Sequence, residues 1–176
     1  MAATEKRQMW FVSSPDGVPP EIREYPIKAS QGVYMAGAPV YVTQSGTVQL
    51  VATSAGSDAL HGVMVKGVAA ELVAGTLVKV VMITSEQLWA IYCENNGSDT
   101  AIAQSNVGNK YGLVVSATSG QIGYSTMDIN DATNVVFIVR DIMSNVEPSK
   151  YKTTDNPGVA VVSVIYTVVE ATKAAS

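Results

Sequence analysis

Val33-Tyr-Met-Ala-Gly-Ala-Pro-Val-Tyr-Val-Thr43, Thr47-Val-Gln-Leu-Val-Ala-Thr53, Gly62-Val-Met-Val-Lys-Gly-Val-Ala69 and Thr76-Leu-Val-Lys-Val-Val-Met-Ile83 are four β-branched runs separated by small, polar or Gly-centred turns. Runs of about 5 to 8 such residues between turn signals read as strands of a β-meander. Side chains alternate along a strand. Val40 and Val42 therefore share one face, with Tyr41 and Thr43 on the other. Val48 and Leu50 oppose Gln49 and Val51, and Val63 and Val65 oppose Met64 and Lys66. Gly62 and Gly67 predict a bulge or a close backbone approach where the sheet curls towards a barrel. From Val33 to Ile83 the only charged residues are Asp58, Lys66, Glu71 and Lys79. A sheet so poor in charge needs cover on one face and implies a partner on the other.

Outside this stretch the chain keeps the same character. Met9-Trp-Phe-Val12 is a short apolar patch before the turn cluster Ser13-Ser-Pro-Asp-Gly17. Glu21-Ile-Arg-Glu-Tyr-Pro-Ile-Lys28 alternates like an edge strand, because Pro26 cannot donate to a ladder. Trp10 and Phe11 either cap one end of the barrel or anchor the chain in a neighbour. Ala69 to Gly75 has helix-forming residues but spans under two turns, so it reads as a loop. Leu88-Trp-Ala-Ile-Tyr-Cys93 reads as a strand stopped by Asn95-Asn-Gly97. Tyr111 to Ser116 and Gln121 to Thr126 continue a looser meander. Asn134 to Arg140 is apolar on both faces, as a sandwiched strand is. Residues 144–157 are polar and read as a linker. Val159 to Glu170 is a final strand that must be paired, in its own barrel or across a subunit boundary, because an exposed apolar edge templates aggregation. The expected organisation is an N-terminal arm over 1–24, an all-β barrel domain over 25–143, and a linker with a C-terminal strand over 144–176.

The 176 residues suit one domain with arms. Charged residues are 15% of the chain, against about 25% in ordinary domains, so much of the surface is buried or covered. A net charge of −4, with the Lys and Arg scattered, argues against nucleic acid and against a membrane surface. Cys93 is the only cysteine, so stability comes from packing or association and not from an intrachain disulfide. The N-terminus has no apolar stretch of signal-peptide length. The longest apolar run, Val159 to Val169, is too short and too polar to span a bilayer as a helix. The expected place is the cytoplasm, or something larger assembled there.

Catalytic signatures are missing from the chain. His61 is the only histidine, which rules out a His–His metal pair, and Ala59-Leu-His-Gly-Val63 holds no nucleophile elbow. It reads as a surface or strand-entry residue, and Cys93 as a buried, inert thiol. Gly-rich phosphate loops are absent. Asp128, Asn130, Asp131 and Asn134 are rich in oxygen ligands, but the run lacks the glycine and terminal glutamate of a calcium loop and reads as an Asx-rich turn. Nothing points to paired glycosidase carboxylates.

Several segments in order carry a family likeness: Ile22-Arg-Glu-Tyr-Pro-Ile, Tyr34-Met-Ala-Gly-Ala-Pro-Val-Tyr-Val, Leu60-His-Gly-Val-Met-Val-Lys-Gly-Val-Ala, Leu88-Trp-Ala-Ile-Tyr, Asn106-Val-Gly-Asn-Lys-Tyr-Gly-Leu and Val135-Val-Phe-Ile-Val. This order resembles the small capsid decoration, or cement, proteins of tailed bacteriophages, over roughly Tyr25 to Met143. The strand after Pro157 has no place in that pattern. The resemblance implies a compact β-barrel or β-tulip domain with an N-terminal arm and a structural role on the virion. It implies attachment to the major capsid protein between capsomers, as a homotrimer, holding the head against internal DNA pressure. With no catalytic, metal or phosphate motif in the chain, no enzymatic activity, cofactor or metal is expected, and its scattered basic residues lead to no expectation of nucleic-acid or membrane binding. The expected contact residues are Trp10, Phe11, Ile22, Tyr25 and Tyr166. The alternative is a carbohydrate- or receptor-binding β-domain of a tail or surface appendage, with Tyr41, Trp89, Tyr92 and Tyr124 as stacking faces. A small hydrolase using His61 is a third reading.

Overall fold

Trp89, Ile91 and Cys93 point into one apolar core, while Leu88, Ala90 and Tyr92 between them point into another. This strand is apolar on both faces, and the chain is built around it. In the computed structural model, which describes residues 9–51, 60–115 and 125–165, the strands in chain order are β1 (Trp10–Ser13), β2 (Ile22–Pro26), β3 (Pro39–Val42), β4 (Val48–Leu50), β5 (Gly62–Met64), β6 (Leu77–Met82), β7 (Leu88–Asn95), β8 (Ser98–Asp99), β9 (Lys110–Val115), β10 (Ser125–Asp128), β11 (Val135–Ile142) and β12 (Val159–Val164). A single turn of helix, α1 (Met143–Val146), follows β11. The fold is all-β and barrel-like, as the sequence predicts.

The strands form two sheets. In the larger, β7, β10, β9, β11 and β12 follow one another round a closed circuit, because β12 pairs back onto β7. Closure on the other edge of β7 is a short parallel pairing, Met127 with Cys93 and Asp128 with Glu94. β1 runs antiparallel along the earlier part of that edge, with Trp10 opposite Ala90 and Phe11 opposite Trp89. The Asn95-Asn-Gly97 stop is a hairpin turn into β8: Asn96 and Gly97 both have positive φ, as two-residue hairpins require. Closing a sheet removes its unpaired edges. That accounts for β12, which is buried along its whole length and paired on both sides, to β11 and to β7. The final apolar strand is thus housed in its own barrel as far as Val164, and residues 166–176 lie outside the described ones.

The smaller sheet has the order β2-β6-β5-β3-β4. It is not the simple meander expected from the sequence: β5 passes over β4 and pairs with β3, Val40 opposite Gly62. The outer edge of β4 is taken instead by the residues after β2, through a parallel bridge from Ile27 to Val48 and a bond from Lys28 N–H to Val48 O of 2.9 Å. This sheet therefore also curls until its ends meet, around Ile27, Tyr34, Val40, Val48, Met64 and Val80.

Period-two alternation joins the two units. Along β6, Val80 and Met82 enter the smaller core, while Val81 and the following Ile83 enter the larger one. Met64 and Val63, and Val40 and Tyr41, divide in the same way. One barrel is expected over 25–143, whereas two curled sheets share a wall. The reason is that the central runs are apolar on both faces, so each face needs its own cover. The two glycines act as expected. A Cβ on Gly62 would meet Val81 O and Val80 Cγ1, and one on Gly67 would meet the backbone of residues 34–36.

Candidate interface surface

The residues with chemical potential are held in structural roles. Cys93 is fully buried, and that burial pushes its thiol up to about 12, so it stays protonated and unreactive at neutral pH. His61 is buried where the two units meet, its Nδ1 accepting the Val42 N–H; of the two expected places it takes the strand entry, directly before β5, and not the surface. In the Asp128 to Asn134 segment, Asp128 Oδ1 accepts the Asn130 N–H at 2.8 Å. Asp131 Oδ1 accepts those of Asn134 at 2.9 Å and Thr133 at 3.0 Å. The Asn134 N–H foremost, with Thr133, holds the Asp131 carboxyl below its ordinary range. These are Asx turns, with the carboxylates spent on backbone donors. Among the described residues no three His, Cys, Asp or Glu side chains converge as metal ligands would.

The expected contact residues fall into two places. Phe11 meets Trp89 edge-on at 5.8 Å, on the core side of the barrel wall. Trp10, its neighbour, points the opposite way and packs on Tyr92 at 5.5 Å. There it joins Val12, Leu88 and Tyr151, all half-buried, on the outer face of the barrel. The N-terminal patch is thus one side of the barrel from Trp10 to Ser13. Ile22 and Tyr25 lie on β2, in the other unit. Tyr25 packs half-buried against the smaller core, whereas Ile22 is 57% exposed. Tyr166 and Tyr124 lie outside the described residues. Of the other stacking candidates, Trp89 is core and Tyr41 stands against His61.

The register of β2 on β6 gathers what the sequence left apart. Ile22 faces Val81, Glu24 faces Lys79, and Pro26 faces Leu77, all on one face. Near the shared wall, Val81 is partly covered. Beyond the reach of the larger barrel, Leu77 is 63% exposed, and Val73 in the preceding turn is 79% exposed. Val18, four residues before Ile22, is 56% exposed. The charges nearby pair among themselves, Arg23 with Glu21 at 2.7 Å and Lys79 with Glu24 at 3.7 Å. At such exposure these pairs are screened by solvent and contribute little; the Lys79–Glu24 pair lies between Ile22 and Leu77, so the aliphatic side chains are spaced along the face. Among the described residues β2 is hydrogen-bonded along one edge only, to β6.

Sequence reading picked out Ile22 but missed Leu77, Val73 and Val18. The available signal was the segment from Ala69 to Leu77, which carries one charge, Glu71, in a loop where polar residues are the norm. Neither models of known protein families nor curated proteins match this chain.

Proposed function

We propose that the chain is a structural attachment protein: a capsid decoration protein that binds the outer surface of a phage head between capsomers and stabilises it. The supporting observation is a set of exposed aliphatic side chains: Ile22 and Leu77 towards opposite ends of the β2–β6 pair, with Glu24 and Lys79 between them, Val73 in the turn before Leu77 and Val18 before β2. Covering such side chains contributes about 1.5 kcal/mol each, so about 6 kcal/mol for the four. Association costs about 4–15 kcal/mol in lost freedom. One copy of this set therefore holds a subunit weakly, and firm attachment needs several contacts acting together. A trimer bridging capsomers supplies them through effective concentration. A ligand that binds only the assembled shell stabilises that shell by mass action.

The test mixes the protein with expanded empty heads of its own source. Saturable co-sedimentation and a raised melting temperature of the heads are expected, together with a trimer mass by light scattering. Wild type that leaves the heads unbound at high concentration would sink the function. The Ile22→Asp/Leu77→Asp double variant should fold as wild type and bind far less. Unchanged binding would remove these aliphatic side chains from the interface.

The half-buried aromatic group Trp10, Tyr92 and Tyr151 on the outer barrel face favours the second reading, sugar stacking by an appendage domain. A glycan array decides it: hits abolished by Tyr151→Ala support this reading, and a blank array retires it.

A further inference from the structure

Asn96 is the one asparagine of the chain that glycine follows. Asn96 and Gly97 form the two-residue tip between β7 and β8, where Asn95 pairs with Ser98. Both are exposed, with φ of 49° and 81°. In such a hairpin the ladder bonds belong to the flanking pair, and the Gly97 N–H has no partner among the described residues. The Asn96 side chain is held by its oxygen alone. Its Oδ1 accepts the Asn130 Nδ2–H at 3.1 Å, and its own Nδ2 donates to no described residue. The exposed Asn109, Asn134 and Asn145 all use theirs, on Tyr111, Asp131 and Asp141 respectively.

We infer that Asn96 is a deamidation site of the folded protein, and that the change unstitches the hairpin tip from the turn after β10. The Gly97 nitrogen gives up its proton and attacks Asn96 Cγ. The new N–C bond closes a five-membered imide, the Cγ–Nδ2 bond breaks, and Nδ2 leaves with that proton as ammonia. One water then opens the imide to aspartate or isoaspartate, and nothing is oxidised or reduced. Glycine has no Cβ to hinder the approach. The Asn130 donor sits on the oxygen that turns negative during the attack, as oxyanion donors do. The Asn96 N–H also bonds Asp128 Oδ1 at 3.3 Å, and the Ile129 N–H bonds Glu94 O at 2.9 Å. These bonds lie where β10 closes on β7 through two residue pairs. Aspartate at 96 sets a second carboxylate beside Asp128, and the two repel. Isoaspartate adds an atom to the backbone between Asn95 and Ser98, which breaks their pairing.

The test keeps the whole wild-type protein warm at pH 8 and maps it by peptide mass spectrometry over time, with the zero-time sample as baseline. The Asn96 peptide should gain the mass of an amide-to-acid change roughly tenfold faster than peptides holding the other asparagines. In converted protein, separated by its added charge, amide protection at Ile129 should fall while that of β11 and β12 holds. No conversion at Asn96, or conversion no faster than elsewhere, would overturn the site. Converted protein that protects Ile129 as wild type does would overturn the unstitching. Asn130→Ala removes the donor and should slow conversion several-fold; an unchanged or higher rate would overturn its part in the attack.

Discussion

Gly67→Ala isolates the sterics that let the smaller sheet curl. The Val68 N–H bonds Tyr34 O at 2.8 Å, in a bridge that brings residues 34–36 against Gly67. A Cβ there would stand 2.8 Å from Ala36 N, 2.8 Å from Tyr34 O and 2.9 Å from Met35 Cα. All three are backbone atoms, so no side chain can swing aside. Ordinary contact requires about 3.4 Å or more, so the segment must shift by roughly half an ångström. Overpacking of this kind costs about 1–3 kcal/mol. Alanine also restricts the unfolded chain, which returns about 0.4–1 kcal/mol. The net loss is about 1–2 kcal/mol. With a urea slope of about 1–3 kcal/mol per M, the midpoint should fall by roughly 0.3–2 M. Urea unfolding followed by tryptophan fluorescence and by far-UV circular dichroism measures it. A variant as stable as wild type would refute the close approach, and with it the account of why glycine stands at this position.

Phe137 is fully buried at the centre of the larger core, so Phe137→Ala should cost about 3–5 kcal/mol in equilibrium unfolding; a loss under 1 kcal/mol would mean that core is not closed. Cys93 should resist a thiol reagent at pH 8 in the native protein and react at once in denaturant; fast native labelling would contradict its burial. Because the folded Asp131 carboxyl is held below its ordinary value of 3.8, its contribution is fully present above that value. It fades as pH falls through the lower folded one. In acid unfolding the Asp131→Asn variant should therefore lose less stability than wild type between neutral pH and pH 3, and identical losses would remove the Asx-turn bonds from the account.

The β-character of the chain was legible because alternating Val, Ile and Tyr between glycine turns leaves few other solutions. Leu88 to Cys93 as a strand, Pro26 on an edge strand, the loop at Ala69 to Gly75 and the Asx turns at Asp128 and Asp131 all follow from local chemistry. Along β11 the sequence overstates burial: Phe137 and Val139 enter the larger core, Val136 joins the same core beside a register irregularity, and Ile138 and Arg140 on the other face are half-exposed and exposed. Less legible were the exposed aliphatic side chains and the burial of His61. Leu77 looks like Val81 in the sequence, four residues away on the same face of β6, and differs only in lying past the larger barrel. His61 stands at the entry to β5 as its neighbours suggest, but its burial depends on β3 lying alongside.

Residue types and their period of two determined by themselves that this is an all-β chain, where its turns fall, and that its ribbons need cover on both faces. Tertiary structure alone decided which edges meet: β12 on β7, Ile27 on Val48, and Cys93 beside Met127 in parallel. Backbone hydrogen bonds are the same for every residue, so periodicity tells which side chains share a face and not which strand lies alongside. That choice falls to packing between residues distant in sequence. Here, among the described residues, it placed most apolar side chains in three clusters and left a few aliphatic ones, Ile22, Leu77 and Val73 among them, exposed.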